Sequence, residues 1–105
     1  MASTEIERPI YQGTGLKFTL NIECEGFSMD TDDFEVIIKN ESNKKVTITK
    51  GEMILTEDDK YLFTLDTQEL GTGTYYATVV ARVSDEDFND GIRTEVIKQV
   101  LCKVE

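Results

Sequence analysis

The fold is decided by residues 67–83, TQELGTGTYYATVVARV. The polar residues up to Leu70 can form one helical turn, which Asp66 or Thr67 would cap. The glycines that follow permit a sharp turn, and beyond them the chain has a period of two. That period predicts a long strand with a core face of Tyr75, Ala77, Val79, Ala81 and Val83. The opposite face carries Tyr76, Thr78, Val80 and Arg82.

Alternation of the same kind recurs along the rest of the chain. Together with polar turns rich in Gly, Asn and Asp, it predicts about seven strands and no amphipathic helix. We expect residues 16–24 and 60–66 to share one sheet. A second sheet is expected to hold residues 34–39, 45–49, 74–84 and 92–104, and residues 53–55 should form a hairpin with 60–66. The pattern favours an all-β, antiparallel β-sandwich with Greek-key order, and a closed barrel is the alternative.

The last strand has a mixed pattern. Val96, Val100, Cys102 and Val104 share one face, whereas Ile97 and Leu101 fall on the other. Either a β-bulge shifts the register, or a partner covers the second face of the strand. The residues predicted to contact a partner are therefore Tyr76, Val80, Ile97 and Leu101.

Composition limits the possible functions. The 105 residues suit one domain, which we place at residues 10–105 after an N-terminal tail of residues 1–9. With 21 acidic and 11 basic residues the net charge is −10, which opposes binding to nucleic acid or to anionic membranes. The chain has no apolar run long enough to span a bilayer and no secretory signal at its start. We expect a cytoplasmic or virion-associated protein.

The side chains that most often carry chemistry are scarce. The chain has no His, which excludes Ser-His-Asp and Cys-His catalytic systems. Cys24 and Cys102 are expected to be reduced, small buried side chains, although a disulfide between them stays open. We expect no enzymatic activity, no cofactor and no small-molecule substrate.

Residues 85–91 form the one weak candidate for a metal site. Asp85, Asp87, Asn89 and Asp90 place side-chain oxygens at a spacing similar to that of calcium loops. Gly91 comes one position too late for such a loop, and Val96 occupies the position of the closing glutamate. Asp, Asn and Gly are also common turn residues, so the alternative is a solvated hairpin turn. Acidic residues Asp30, Asp32 and Asp33 could lie at the same end of the sandwich.

Three segments in order resemble a known family: residues 11–20 (YQGTGLKFTL), residues 33–38 (DFEVII), and Leu65-Asp66-Thr67 leading into Gly73-Thr74-Tyr75-Tyr76. The chain from about Tyr11 to Val104 resembles the immunoglobulin-like domain at the head of phage baseplate upper proteins, and related small prophage proteins. The resemblance implies an immunoglobulin-like sandwich without catalytic residues. It also implies docking to other virion proteins or to copies of itself.

These observations lead to two expectations for function. The first is a non-enzymatic structural or protein-interaction module, a component of a phage tail, baseplate or prophage, whose partner is a protein or a second copy. The second is a bacterial surface domain that binds carbohydrate or forms calcium-bridged adhesion contacts.

Overall fold

The computed structural model describes residues 9–28, 31–57 and 60–105. The predicted tail up to residue 8, Asp30, and the turn residues Asp58 and Asp59 lie outside this range. The strands of the described part are β1 (Gly15–Leu20), β2 (Asp33–Asn40), β3 (Lys45–Thr49), β4 (Ile54–Leu55), β5 (Tyr61–Asp66), β6 (Gly73–Ser84) and β7 (Ile92–Val104). A 3-10 helix at Lys50–Glu52 and a single turn of α-helix, α1 (Thr67–Leu70), complete the order.

The strands form two antiparallel sheets, as predicted. One sheet has the order β1-β5-β4 and the other has the order β3-β2-β6-β7. Each predicted strand lies in the sheet to which its sequence assigned it, which confirms an all-β sandwich. No helix in the described part of the chain is long and apolar enough to cross a membrane.

The predicted bounds differ from the structure at the N-terminal strands. β1 ends at Leu20, opposite Tyr61, although its alternation continues to Cys24. Its partner β5 begins at Tyr61, and residues 21–24 pair with no strand in the described part of the chain, where Ile22 is nevertheless buried. Before β1, Ile10 forms a single parallel bridge with Val104.

The core lies between the inner faces of the two sheets. Tyr75, Phe34, Ile38, Val36 and Val83 are at most 1% exposed. Aromatic rings pack between the two sheets. Phe34 of β2 lies edge to face on Tyr61 of β5, with 5.1 Å between ring centroids. Within the smaller sheet Phe63 stacks on its cross-strand neighbour Phe18. Such burial removes apolar surface from water, which is the main driving force for this fold.

The segment that decides the fold makes the expected turn. Asp66 caps α1, with its carboxylate accepting a hydrogen bond from the Gln68 N–H at 2.9 Å. The Tyr75 hydroxyl donates to the Gly71 carbonyl at 2.6 Å, and Gly71 has a φ of 85°. This conformation favours glycine. The turn and the start of β6 are thereby fixed to each other.

Two buried polar residues hold this end of the sandwich, and sequence alone did not indicate either. Thr67 is fully buried, and its hydroxyl donates to the Thr14 carbonyl at 2.7 Å and accepts from the Gly13 N–H at 2.8 Å. Asn40 is 2% exposed and its amide donates to the Leu70 carbonyl. Its side-chain oxygen accepts from the N–H groups of Ser42 and Lys44, each at 3.0 Å. Buried polar atoms that are paired in this way do not carry the cost of lost hydration.

Candidate interaction surface

The outer face of the four-stranded sheet is formed by the side chains that point away from the core. On β6 these include Tyr76 and Val80, as the alternation predicted. The register places Tyr76 opposite Val100 and Val80 opposite Val96. Tyr76 is 44% exposed, Val96 54% and Val100 62%. The two cross-strand pairs therefore present apolar side chains to solvent on either side of the polar Thr78–Lys98 pair.

A β-bulge explains the mixed pattern of the last strand. Tyr75 pairs with Cys102, but the next residue, Tyr76, pairs with Val100. Leu101 is the extra residue at this irregularity. Of the two explanations left open by the sequence, the bulge is the one that the structure contains. It moves Cys102 and Val104 onto the core side, whereas Val96 and Val100 stay on the outer face.

The register places the four residues predicted to contact a partner on two different faces of the sheet. Ile97 lies opposite Val79, on the inner side of the sheet, and is 36% exposed. Leu101 is partly buried and packs against the core. Neither shares a face with Tyr76 and Val80. Val96 and Val100 instead share the outer face with Tyr76 and Val80, as their even spacing before the bulge indicated.

An open groove lies at the Tyr76 end of the outer face. Its volume is about 570 Å³, and its walls include the β2–β3 turn at Asn40–Asn43. Tyr76, Thr78 and Val100 line the groove, with Lys39 and Lys98 among the other lining residues. We call this feature the lysine groove.

Four lysines of the outer face surround or adjoin the lysine groove: Lys39, Lys45, Lys98 and Lys103. All four are exposed, and within the described residues none of them has a carboxylate within salt-bridge distance. Lys39 and Lys45 are direct cross-strand neighbours, an arrangement that is unfavourable for like charges. Glu41 also lines the groove and lies against Gly73. This end of the sheet is locally basic in a chain with a net charge of −10.

The other end of the outer face is internally neutralised. Arg82 bonds the Glu35 carboxylate at 2.7 Å and the Asp33 carboxylate at 3.3 Å. The hydrogen bond to Glu35 is the main cause that raises the pKa of Arg82. These charges neutralise one another at this end of the sheet.

The loop between β6 and β7, residues 85–91, closes the hairpin as a compact turn. The Asp85 N–H donates to the Gly91 carbonyl at 2.9 Å, and the Gly91 N–H donates to the Phe88 carbonyl at 2.9 Å. One Asp85 oxygen accepts the Asp87 N–H at 3.0 Å, and the other bonds Arg93 at 2.8 Å. Asp90 accepts the Ile92 N–H at 3.0 Å. Two of the predicted calcium ligands, Asp85 and Asp90, therefore act as turn acceptors.

A metal centre is not assembled in the part of the chain that the structure describes. No group of three or more Asp, Glu, Cys or His side chains that could hold an ion occurs there. Asp32 is buried and accepts the Ser28 N–H at 3.0 Å. Asp33 pairs with Arg82, on the outer face. Both residues lie at the predicted end of the sandwich, since Asp32 also accepts from the Ser84 hydroxyl at 3.4 Å and Asp33 pairs with Arg82 near the end of β6. Among the described residues they form no metal-holding group with Asp85–Asp90.

Cys24 and Cys102 are both free thiols. Burial raises the pKa of the Cys102 thiol. The pKa of Cys24 is raised as well, first by burial and then by the nearby Glu95 carboxylate. A raised pKa keeps a thiol protonated at neutral pH and so lowers the fraction present as the reactive thiolate.

Comparison with known proteins adds no further identification. Searches of protein-family models, of curated proteins and of solved structures gave no match to this chain. The resemblance to phage baseplate proteins therefore stays a prediction.

Proposed function

We propose that this protein is a non-enzymatic structural or protein-interaction module that binds a protein partner through the outer face of its four-stranded sheet. The observation that carries the proposal is the exposed Tyr76–Val100 pair, which adjoins lysines that have no carboxylate partner among the described residues. Exposed aromatic and apolar side chains beside unpaired charge are typical of interaction sites.

The arrangement of strands supports an immunoglobulin-like version of the sandwich with Greek-key order. In such domains one sheet holds the first, second, fifth and fourth strands, and the other holds the third, sixth and seventh. The orders β1-β5-β4 and β3-β2-β6-β7 fit this plan when β1 takes the second position, β2 the third and β3 an additional edge position. No strand of the described residues takes the first position, where Ile10 forms only a bridge to Val104. The Tyr75 hydroxyl bond back to Gly71 is similar to the tyrosine corner of that fold. Ala77 stands two residues after Tyr75, where antibody domains have a cysteine.

Physical estimates favour a partner with complementary charge. Burying one exposed side chain such as Val96 or Val100 gains at most about 1.5–3 kcal/mol. A few such side chains do not offset the entropy lost on association, which costs about 4–15 kcal/mol. The lysines would add attraction and orientation for an acidic partner, and they would raise its association rate.

The resemblance described above motivates the biological setting. A component of a phage tail, baseplate or prophage is the setting that this resemblance implies for a protein-interaction module. In that setting the partner is a neighbouring virion protein or a second copy of the chain.

The proposal is tested by substituting the outer face while a matched exposed pair serves as the control. The test variant is Tyr76→Ser with Val100→Ser. The control is Ile54→Ser with Leu55→Ser on β4, where the side chains are 63% and 51% exposed. Each protein is immobilised, and the proteins that it retains from a lysate of its source are quantified by mass spectrometry.

We expect at least one protein, this chain itself included, to be retained by the wild type and the control but not by the outer-face variant. Identical retained sets for all three proteins would contradict the proposal. Retention of glycans in place of proteins would favour the surface carbohydrate-binding function.

A further inference from the structure

We infer that the protein assembles head to tail, with the β6–β7 loop of one copy docked in the lysine groove of the next. The inference rests on the proposed function and names its partner, which is a second copy of this chain. Three features carry it: the chemistry of the loop, the chemistry of the groove, and their positions at opposite ends of one sheet.

The loop is the chemical complement of the groove. Glu86, Asp87 and Asp90 are exposed, and Phe88 between them is 46% exposed. None of these three carboxylates has a cation within salt-bridge distance in the described part of the chain. The loop therefore presents one aromatic ring flanked by free negative charge.

The lysine groove provides groups that are complementary to the ring and the carboxylates of the loop. Tyr76 and Val100 provide an apolar surface for the Phe88 ring. Lys39 and Lys98 also line the groove and could reach the carboxylates on each side of that ring. Lys45 lies opposite Lys39 and adds to the positive potential. An anion bound here would relieve the repulsion between these two cross-strand lysines.

The two features cannot meet within one molecule. β6 and β7 connect them: the groove lies near the Ala77–Gln99 pair, and the loop begins beyond the Ser84–Ile92 pair. About eight residues at roughly 3.3 Å each separate them along the sheet. The contact must therefore form between copies, and because it joins different surfaces it repeats into rings or filaments.

Net charge does not forbid this association. Two chains of −10 repel at long range, but exposed charges are screened beyond about 10 Å at 0.1 M ionic strength. At the contact only local charge remains effective, and there the loop is negative and the groove positive. We expect the association to weaken as salt is added.

The test uses two variants of the full chain, each with one side of the contact removed. The groove variant is Lys39→Glu with Lys98→Glu, and the loop variant is Glu86→Gln with Asp87→Asn. Lys17→Glu with Lys60→Glu is a charge-matched control for the groove variant, because both lysines are exposed and lie on or next to the smaller sheet. Sedimentation velocity is measured from micromolar to about millimolar protein, in 0.05 M and 0.5 M NaCl.

We expect the wild type and the control to form oligomers that grow with concentration and dissociate in 0.5 M NaCl. Each variant alone should be monomeric. An equimolar mixture should form a dimer that does not grow further, because only the groove of the loop variant and the loop of the groove variant remain intact.

A monomeric wild type at low salt, or oligomers that neither variant affects, would overturn the inference. A labelled peptide of residues 84–92 gives a second measurement, since it should bind the wild type and not the groove variant in fluorescence anisotropy. If self-association fails but the outer-face variant still loses a retained protein, only the choice of a second copy is wrong. If neither is observed, the proposed function fails as well.

Discussion

Removal of one oxygen atom tests how the turn into β6 is held. The change is Tyr75→Phe. Tyr75 has no exposed surface, and its hydroxyl donates to the Gly71 carbonyl at 2.6 Å. Phenylalanine retains the ring in the core and removes only this bond, so the variant isolates the hydroxyl from the packing of the side chain.

The expected loss follows from the burial of both partners. A hydrogen bond of this kind contributes about 0.5–1.5 kcal/mol net, and a carbonyl left without a partner adds a desolvation cost. Gly71 is only partly buried, so water can satisfy some of that carbonyl. We therefore expect the free energy of unfolding to fall by about 1.5 kcal/mol. In a domain of this size the melting temperature should fall by about 6–12 °C.

Urea denaturation followed by far-UV circular dichroism measures the effect. With a slope of about 1.5 kcal/mol per molar, the unfolding midpoint should fall by about 1 M while the slope itself stays constant. Tyr76→Phe is the matched control, because Tyr76 is the next residue, is 44% exposed and lies on the outer face. Its midpoint should stay within about 0.3 M of the wild type. Equal losses in the two variants, or no loss in Tyr75→Phe, would refute the assigned role of the Tyr75–Gly71 bond.

Three further predictions concern stability. Asn40→Ala should lower the free energy of unfolding by about 3 kcal/mol in the same urea assay, because it leaves the buried Leu70 carbonyl and two turn N–H groups without their partner. The control is Asn21→Ala, at an exposed position. Equal stability of the two variants would contradict the role of Asn40. Stability should also fall as the pH rises above about 9, because burial raises the pKa of Cys24 and Cys102 above the ordinary 9.0 while the unfolded thiols ionise. The thiol contribution is fully present below pH 9 and is lost as the pH rises through the raised folded pKa values. Cys24→Ala with Cys102→Ala should therefore flatten the curve of unfolding midpoint against pH above 9, and an unchanged slope would refute the prediction. Finally, millimolar Ca²⁺ should shift the melting temperature by less than about 1 °C, because both Asp85 oxygens and one Asp90 oxygen already accept hydrogen bonds. A clear rise in the melting temperature would restore the calcium hypothesis for residues 85–90.

Local alternation was a sufficient guide to the strands because side chains on a half-buried strand must alternate between core and solvent. It placed β2, β3, β5, β6 and β7 within a few residues and assigned each to its sheet. Alternation did not predict where β1 ends, because the end of a paired strand also depends on how far its partner strand extends. β1 ends at Leu20 because its partner β5 begins at Tyr61, and the sequence of β1 alone does not show this.

Polar residues in the core were harder to anticipate. Asn40 and Thr67 occur among turn residues, where Asn and Thr are common at the surface. They are buried because the chain brings the β2–β3 turn and the segment around Thr14 against the ends of α1. These partners are about 30 and 53 positions away in sequence.

The sequence by itself determined the two faces of β6, the turn before it and the acidity of the protein. Each depends on neighbouring residues or on composition, and no distant part of the chain can change it. Tertiary structure alone decided which residues share the outer face around the lysine groove. The bulge at Leu101 separates Val100 from Cys102, and antiparallel pairing brings Lys39 and Lys45 beside Tyr76 and Lys98. A register between strands is a long-range property, so the lysine groove exists only once β2, β3, β6 and β7 have paired.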